Sequence, residues 1–233
     1  MNMKKTNTAY FVIFALLIST ITIAQPAMQE PSQTAYISSR TVNLMDNPND
    51  YTGSPYYNVD FLKGSVLSKG KTIASNQILR YNVSKEEFEI RDPRNKESNI
   101  VKTILRNKDI TIEIGDDTFE YISNEKNRLR GYFIPIIKGD KNSLYKKITK
   151  EYIASQKAAS SMASNIAAMY KEKEFLYLLD DKGTYTKLTS SKKGNLNAFG
   201  DVKKDVKDYA KQNKLNLKKE KDLIKVVKYT NSL

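Results

Sequence analysis

Residues 77–91, QILRYNVSKEEFEIR, alternate apolar and polar side chains on both sides of a short polar break. Leu79, Tyr81 and Val83 are interleaved with Arg80 and Asn82. After Ser84, Lys85 and Glu86, the residues Phe88 and Ile90 are interleaved with Glu87, Glu89 and Arg91. Successive side chains of a strand point to opposite faces, so this stretch reads as a β-hairpin with one buried face. An isolated hairpin is marginal in water, and the rest of the chain must extend or cover it.

The same patterning recurs downstream. Ile110, Ile112 and Ile114 alternate with Thr111 and Glu113, and Phe119 and Tyr121 resume the alternation after a three-residue loop, Gly115-Asp116-Asp117. Residues 131–137, GYFIPII, are apolar on both faces, and Pro135 places that strand at an edge or a bulge. Residues 99–106 fit a short helix through Ile100, Ile104 and Leu105, or a strand through Val101 and Thr103. The Ala- and Ser-rich residues 151–170 read as a helix or an extended lid. Residues 175–180 and 184–188 form a last hairpin about Asp181-Lys182-Gly183.

Beyond Asp201, a candidate N-cap, the period changes to about 3.6. Val202, Val206, Tyr209 and Ala210 form one stripe, and Leu223, Ile224 and Val227 another. Two short amphipathic helices in a hairpin are expected. Lys203, Lys207, Lys211 and Lys214 recur at intervals of four, four and three, which places them on one helix face, open to an anionic surface. The expected architecture is mainly β with C-terminal α. An antiparallel hairpin meander over residues 61–189 forms a curved sheet or partly open barrel, with a two-sheet sandwich as the second choice. A flexible joint at 190–200 leads to the helical hairpin at 201–233.

The N-terminus carries Lys4 and Lys5, an apolar run over residues 9–24, then Gln25-Pro26. Those are the marks of a cleaved signal peptide over residues 1–24, so the expected address is periplasmic or extracellular. Residues 25–60 read as an irregular leader, with Asp46-Asn47-Pro48-Asn49-Asp50 as a turn, since Pro48 and the missing Gly break the calcium-loop pattern. No later stretch is apolar enough to span a bilayer.

The chain of 233 residues carries a formal charge of +13. Outside the inner membrane the polyanions within reach are lipopolysaccharide phosphates, lipid headgroups and acidic glycans, and nucleic acid is not expected as a partner. An envelope protein is the other partner considered. The absence of His and Cys removes imidazole and thiol catalysis and the metal sites built from those ligands, and no cofactor is expected. A glycosidase-type carboxylate pair survives as a route, with Glu113, Asp116, Asp117, Glu120, Asp180 and Asp181 as carboxylates to consider. Their turn and solvent-face positions explain them without catalysis. The expectation is therefore a non-catalytic binding or assembly module, with a hydrolase acting on envelope glycan as the alternative.

Several phrases occur in a telling order. They are Leu79-Arg80-Tyr81-Asn82, Phe88-Glu89-Ile90, Gly131-Tyr132-Phe133, Tyr177-Leu178-Leu179-Asp180-Asp181, Phe199-Gly200-Asp201 and a closing Tyr229-Thr230-Asn231-Ser232-Leu233. In that order they resemble a family of exported proteins of Bacteroidetes with no assigned activity. The resemblance covers nearly all of the chain after the signal. The Ala/Ser-rich residues 151–170 depart from the Gly- and Pro-containing connector of that family. The resemblance implies a Gram-negative envelope protein and supplies no site residues.

Overall fold

The computed structural model describes residues 36–44, 51–95, 98–158 and 164–233. The expected signal peptide, the 46–50 turn and the rest of the leader at 25–35 and 45 lie outside the described residues.

Twelve strands among the described residues join in one open sheet. In chain order they are β1 (Ile37–Asn43), β2 (Tyr51–Thr52), β3 (Leu62–Ser68), β4 (Lys71–Asn82), β5 (Glu87–Arg91) and β6 (Ile100–Ile104). They continue as β7 (Ile110–Ile114), β8 (Asp117–Asn124), β9 (Leu129–Ile137), β10 (Asn142–Ile153), β11 (Ala168–Asp180) and β12 (Tyr185–Lys187). The order across the sheet is β1-β6-β5-β4-β3-β7-β8-β9-β10-β11-β12. Neighbours run antiparallel, and β2 adds a short parallel pairing on β11. The leader is thus not wholly irregular, because β1 forms the edge strand on β6. Residues 99–106 resolve as strand β6, in which Val101 and Thr103 are buried.

Turn chemistry sets the registers. Lys69 and Gly70 both take positive φ between β3 and β4, the two-residue turn that matches strand twist. The β7–β8 loop is Gly115-Asp116 alone, because Asp117 already pairs with Ile114. Only Gly115 has positive φ there, which fits a II′ turn and shortens the expected loop by one residue.

The sheet rolls up. Five strand spacings separate β5 from β9, about 24 Å in a flat sheet. Yet the Phe88 and Tyr132 ring centroids lie 4.7 Å apart, edge to face. Phe88 also stacks on Tyr81 at 4.4 Å and meets Phe119 at 5.2 Å. Leu79, Tyr81, Phe88, Ile112, Phe119 and Tyr132 belong to one continuous core inside the roll. This is the curved, partly open form expected from the alternation.

Side chains hold the roll across its opening. Glu86, at positive φ in the β4–β5 loop, accepts from the Tyr132 backbone N–H at 2.9 Å and from the Tyr81 hydroxyl at 3.2 Å. Its other oxygen meets Lys147 Nζ of β10 at 2.8 Å. Gly131 lies directly under this contact at φ +128°, and a Cβ there would sit 2.4 Å from both Glu86 Oε2 and Lys147 Nζ. Gly131→Ala is therefore expected to cost about 1–3 kcal/mol. A urea unfolding curve reads this as a lower midpoint at unchanged slope. An unmoved midpoint would show that the Glu86 contact does not hold the roll.

β9 joins two cores. Its first half pairs with β8, and its second half pairs with β10 through a bulge at Ile136, next to Pro135. Leu144 of β10, Leu178 of β11 and Leu188 just after β12 pack under three helices, α1 (Lys192–Asn197), α2 (Lys203–Gln212) and α3 (Glu220–Ser232). Residues 190–200, read from the sequence as a joint, instead hold the Ser191 N-cap, α1 and a buried Phe199. Asp201 is not the N-cap of α2. It lies in a 3-10 turn, Gly200–Val202, and Val202 occupies the cap position. The two-helix hairpin itself forms as expected, but it shares a core with the sheet.

Residues 151–170 are strand at both described ends, not helix. Glu151 to Ile153 pair with Met169 to Lys171, and Gln156 bridges Ile166. Residues 159–163 lie outside the described residues. Ala content favours helix only weakly, and cross-strand pairing over a twelve-residue ladder outweighs it.

Helix α2 ends in a Schellman motif. Leu215 N–H reaches Ala210 C=O at 2.8 Å and Lys214 N–H reaches Lys211 C=O at 3.3 Å, with Lys214 itself at φ +52°. A glycine carries no Cβ penalty in that conformation, so Lys214→Gly is expected to stabilise by about 0.5–1 kcal/mol. Differential scanning calorimetry checks the sign, and a lowered Tm would contradict it.

Candidate functional site

The lysine face is the first candidate. Val206 and Ala210 of α2 are buried against α3 and the sheet, which fixes how the helix is rotated. Lys203, Lys207 and Lys211 are all exposed, and at 100° per residue they fall within an arc of about 80°. Asp205 and Asp208 lie outside that arc and are exposed too. Lys214 does not share the face, because it sits past the helix end in the left-handed residue of the Schellman motif. Among the described residues, none of the four lysines enters an ion pair.

The second candidate is an open cleft of about 850 Å³. Its floor is Ile134, Ile136, Lys146 and Ile148 of β9 and β10, with Glu172 and Glu174 of β11. One wall is the β7–β8 turn with Asp116, Asp117 and Glu120, and the other is Glu220 at the start of α3. Period two explains the floor. Leu144, Lys146 and Ile148 share a face of β10 that is covered by helices at one end and by the rolled core at the other, leaving the middle open.

Six carboxylates face two lysines in this cleft, Lys138 and Lys146, on a chain whose overall charge is +13. Lys146 Nζ lies 2.9 Å from Glu220 and 3.9 Å from Glu174. Burial alone would lower the Lys146 ammonium, but Glu220 and then Glu174 outweigh it and hold it above its ordinary value. Tyr57 donates to Asp117 at 2.7 Å, and burial followed by that carboxylate pushes its phenol well up. Tyr145 is raised by burial and then by Glu120, which also pairs with Lys138. Glu172 pairs with Lys150 at 3.0 Å. Most of these acids thus have a cation or donor already, and the cleft is polar and open.

Of the carboxylates considered from the sequence, the structure brings Asp116, Asp117 and Glu120 into the cleft. Glu113 stays on β7, while Asp180 and Asp181 lie in a separate hollow beside Phe199 and Asp201. Sequence reasoning passed over Glu172, Glu174 and Glu220. The signal for the first two is the alternation Glu172, Glu174, Leu176, Leu178, which becomes legible once β11 is known to begin at Ala168.

Among the described residues no helix is long and apolar enough to cross a membrane, and no cluster of three or more acidic side chains is arranged to hold a metal ion. Compared with known proteins, the chain matches no family model, no curated protein and no solved structure.

Proposed function

We propose that this chain is an exported, non-catalytic binding or assembly module of the cell envelope. In this reading it holds an anionic envelope component, a lipopolysaccharide phosphate or an acidic glycan, through the lysine face of α2. The observation that carries the reading is that Lys203, Lys207 and Lys211 are exposed and, among the described residues, free of ion pairs, on a helix whose Val206 and Ala210 are locked into the core. The apolar run at residues 9–24 supports the exported address, and the family resemblance adds to it. Such a contact is electrostatic and salt-sensitive, since the Debye length is about 8 Å at physiological salt.

The test is retention on immobilised lipopolysaccharide and on acidic glycan, for the processed chain and for Lys203→Gln/Lys207→Gln/Lys211→Gln. Truncation at Gly194 is a poor control, because it would bare Leu144, Leu178 and Leu188. Retention should fall at least fivefold in the triple variant and fall with added salt in the parent. Equal retention of the two proteins, or retention unmoved by salt, would remove the lysine face.

A carboxylate hydrolase is the second reading, favoured by the acid-lined cleft. A general acid is kept protonated by an apolar, water-poor setting, whereas these carboxylates face lysines and solvent. Release of reducing ends from envelope glycan, abolished by Glu120→Gln or Glu174→Gln, would establish this second reading and overturn the first.

A further inference from the structure

β11 is the outer strand of the β10–β11 ribbon, which holds its register from Asn142–Asp180 to Ile153–Met169. Its other edge is only partly used. β2 pairs with Ala168 and Met169, and β12 pairs with Tyr177 to Leu179. Leu188 N–H extends the second pairing by donating to Leu176 C=O at 2.8 Å. Between the two, Tyr170 to Phe175 enter no ladder on that edge among the described residues. The gap is about 20 Å long, the length of an ordinary strand.

The backbone groups of a strand alternate between its two edges. Lys173 C=O faces β10, where it accepts from Thr149 Oγ1 at 3.3 Å, whereas Leu176 C=O faces the β12 side. The N–H and C=O groups of Glu172 and Glu174 therefore point into the gap. Past the end of β12, a hollow of about 500 Å³ borders the same edge, lined by Glu174, Phe175, Leu176, Lys187 and Ser190.

Side chains decide what fits there. Lys171, Glu172, Lys173 and Glu174 are all exposed, and their signs alternate between the two faces of the ribbon. β10 answers each sign with its opposite. Lys150 stands across from Glu172 at 3.0 Å, and Glu151 stands across from Lys171 and lies 2.6 Å from Lys173. A second copy of β11 does not. Antiparallel pairing about a two-fold axis keeps both strands' side chains on matching faces, so lysine meets lysine and glutamate meets glutamate. Like charges directly opposite are destabilising. A pattern that guards the edge against its own kind leaves it open to a strand of complementary pattern.

We infer that the β11 edge takes an extended segment of another protein as an added antiparallel strand, with basic residues opposite Glu172 and Glu174 and acidic residues opposite Lys171 and Lys173. Main-chain hydrogen bonds to Glu172 and Glu174 hold the segment, and the alternating charges choose it. Its basic residues stand on the face of the acid-lined cleft, to which Glu172 and Glu174 belong.

This goes beyond the lysine-face reading and uses none of its residues, so either can fail without the other. The probe is a fluorescein-labelled, end-capped hexapeptide, Thr-Lys-Glu-Lys-Glu-Thr, and fluorescence anisotropy reads its binding to the processed chain. Its lysines fall opposite Glu174 and Glu172, and their amides face the edge. N-methylation of those two amides should weaken binding about tenfold or more, and the same change at the two glutamate amides should alter it by no more than about twofold. The reordered peptide Thr-Lys-Lys-Glu-Glu-Thr should bind about fivefold more weakly. Hydrogen exchange places the segment, since the Glu172 and Glu174 amides should exchange about tenfold more slowly with the probe bound. Absence of binding, indifference to methylation of the lysine amides, equal binding of the reordered peptide, or unchanged exchange at Glu172 and Glu174 would each overturn the inference. So would loss of binding in the triple lysine variant, which would move the probe to α2. Dimerisation without probe that slows the same two amides would overturn it as well, by assigning the edge to a second copy of the chain.

Discussion

Phe88→Ala is expected to lower the unfolding free energy by about 3–5 kcal/mol, a large share of the roughly 5–15 kcal/mol that a folded domain has to lose. Phe88 is fully buried, and it joins strands that only the roll brings together. Its ring stacks on Tyr81 of β4 and packs edge-on to Phe119 of β8 and Tyr132 of β9. Each such pair contributes about 0.5–1.5 kcal/mol beyond area burial, and Ala leaves a cavity where all three meet. Urea unfolding followed by far-UV circular dichroism measures the loss. Tyr152→Ala, on the exposed ribbon, should cost about 0.5 kcal/mol or less in the same assay. Comparable losses at the two positions would mean that the Phe88 cluster is not the centre of the fold.

The second large effect comes from the outer side of the same hairpin. Register places Arg80 opposite Glu89, with Nη2 2.8 Å and Nε 3.1 Å from one carboxylate oxygen. The pair is 8% and 1% exposed, and the guanidinium lies 3.5 Å over the Tyr56 ring. Glu89→Ala strands a buried guanidinium and should cost about 3–5 kcal/mol. Arg80→Met combined with Glu89→Leu removes both charges while keeping volume, and should recover most of that loss. Chemical denaturation of Arg80→Met, Glu89→Leu and the double variant reads the coupling directly. A double variant as unstable as the sum of the singles would show that the two side chains act independently.

That pair also marks where sequence reasoning stopped. Alternation identified Leu79, Tyr81, Phe88 and Ile90 as core, and they are. It also assigned Arg80, Asn82, Glu87 and Glu89 to solvent, yet all four are buried. Period two reports that faces differ, not what covers the second one. Residues 55–61 return along β4, with Tyr57 N–H on Tyr81 C=O and Val83 N–H on Pro55 C=O, and Tyr56 and Phe61 roof the arginine. Glu87 is met by Arg40 of β1 and Arg106 beyond β6, partners 47 and 19 residues away. Contacts at that separation leave no local signature.

The candidate sites divide in the same way. The lysine spacing was legible because helical periodicity is local, and the burial of Val206 and Ala210 sets the rotation of the helix. Lys214 dropped out because the helix ends at Gln212, two residues short of it. The acid-lined cleft was not legible, since its walls come from β7–β8, β11 and α3, which only the rolled sheet brings together. Local Ala propensity hid the ribbon, although the Tyr152 and Tyr170 positions carry its period.

Photo-crosslinking inside the native envelope tests the proposed function most directly. A crosslinking amino acid is placed at position 207 in the lysine face, and at position 113 on β7 as the control. Adducts carrying lipopolysaccharide or acidic glycan should form from position 207, weaken when Lys203 and Lys211 are changed to Gln, and be absent from position 113. Glycan or glycolipid adducts formed equally from both positions, or none from position 207 while the chain is intact in the envelope, would contradict the account.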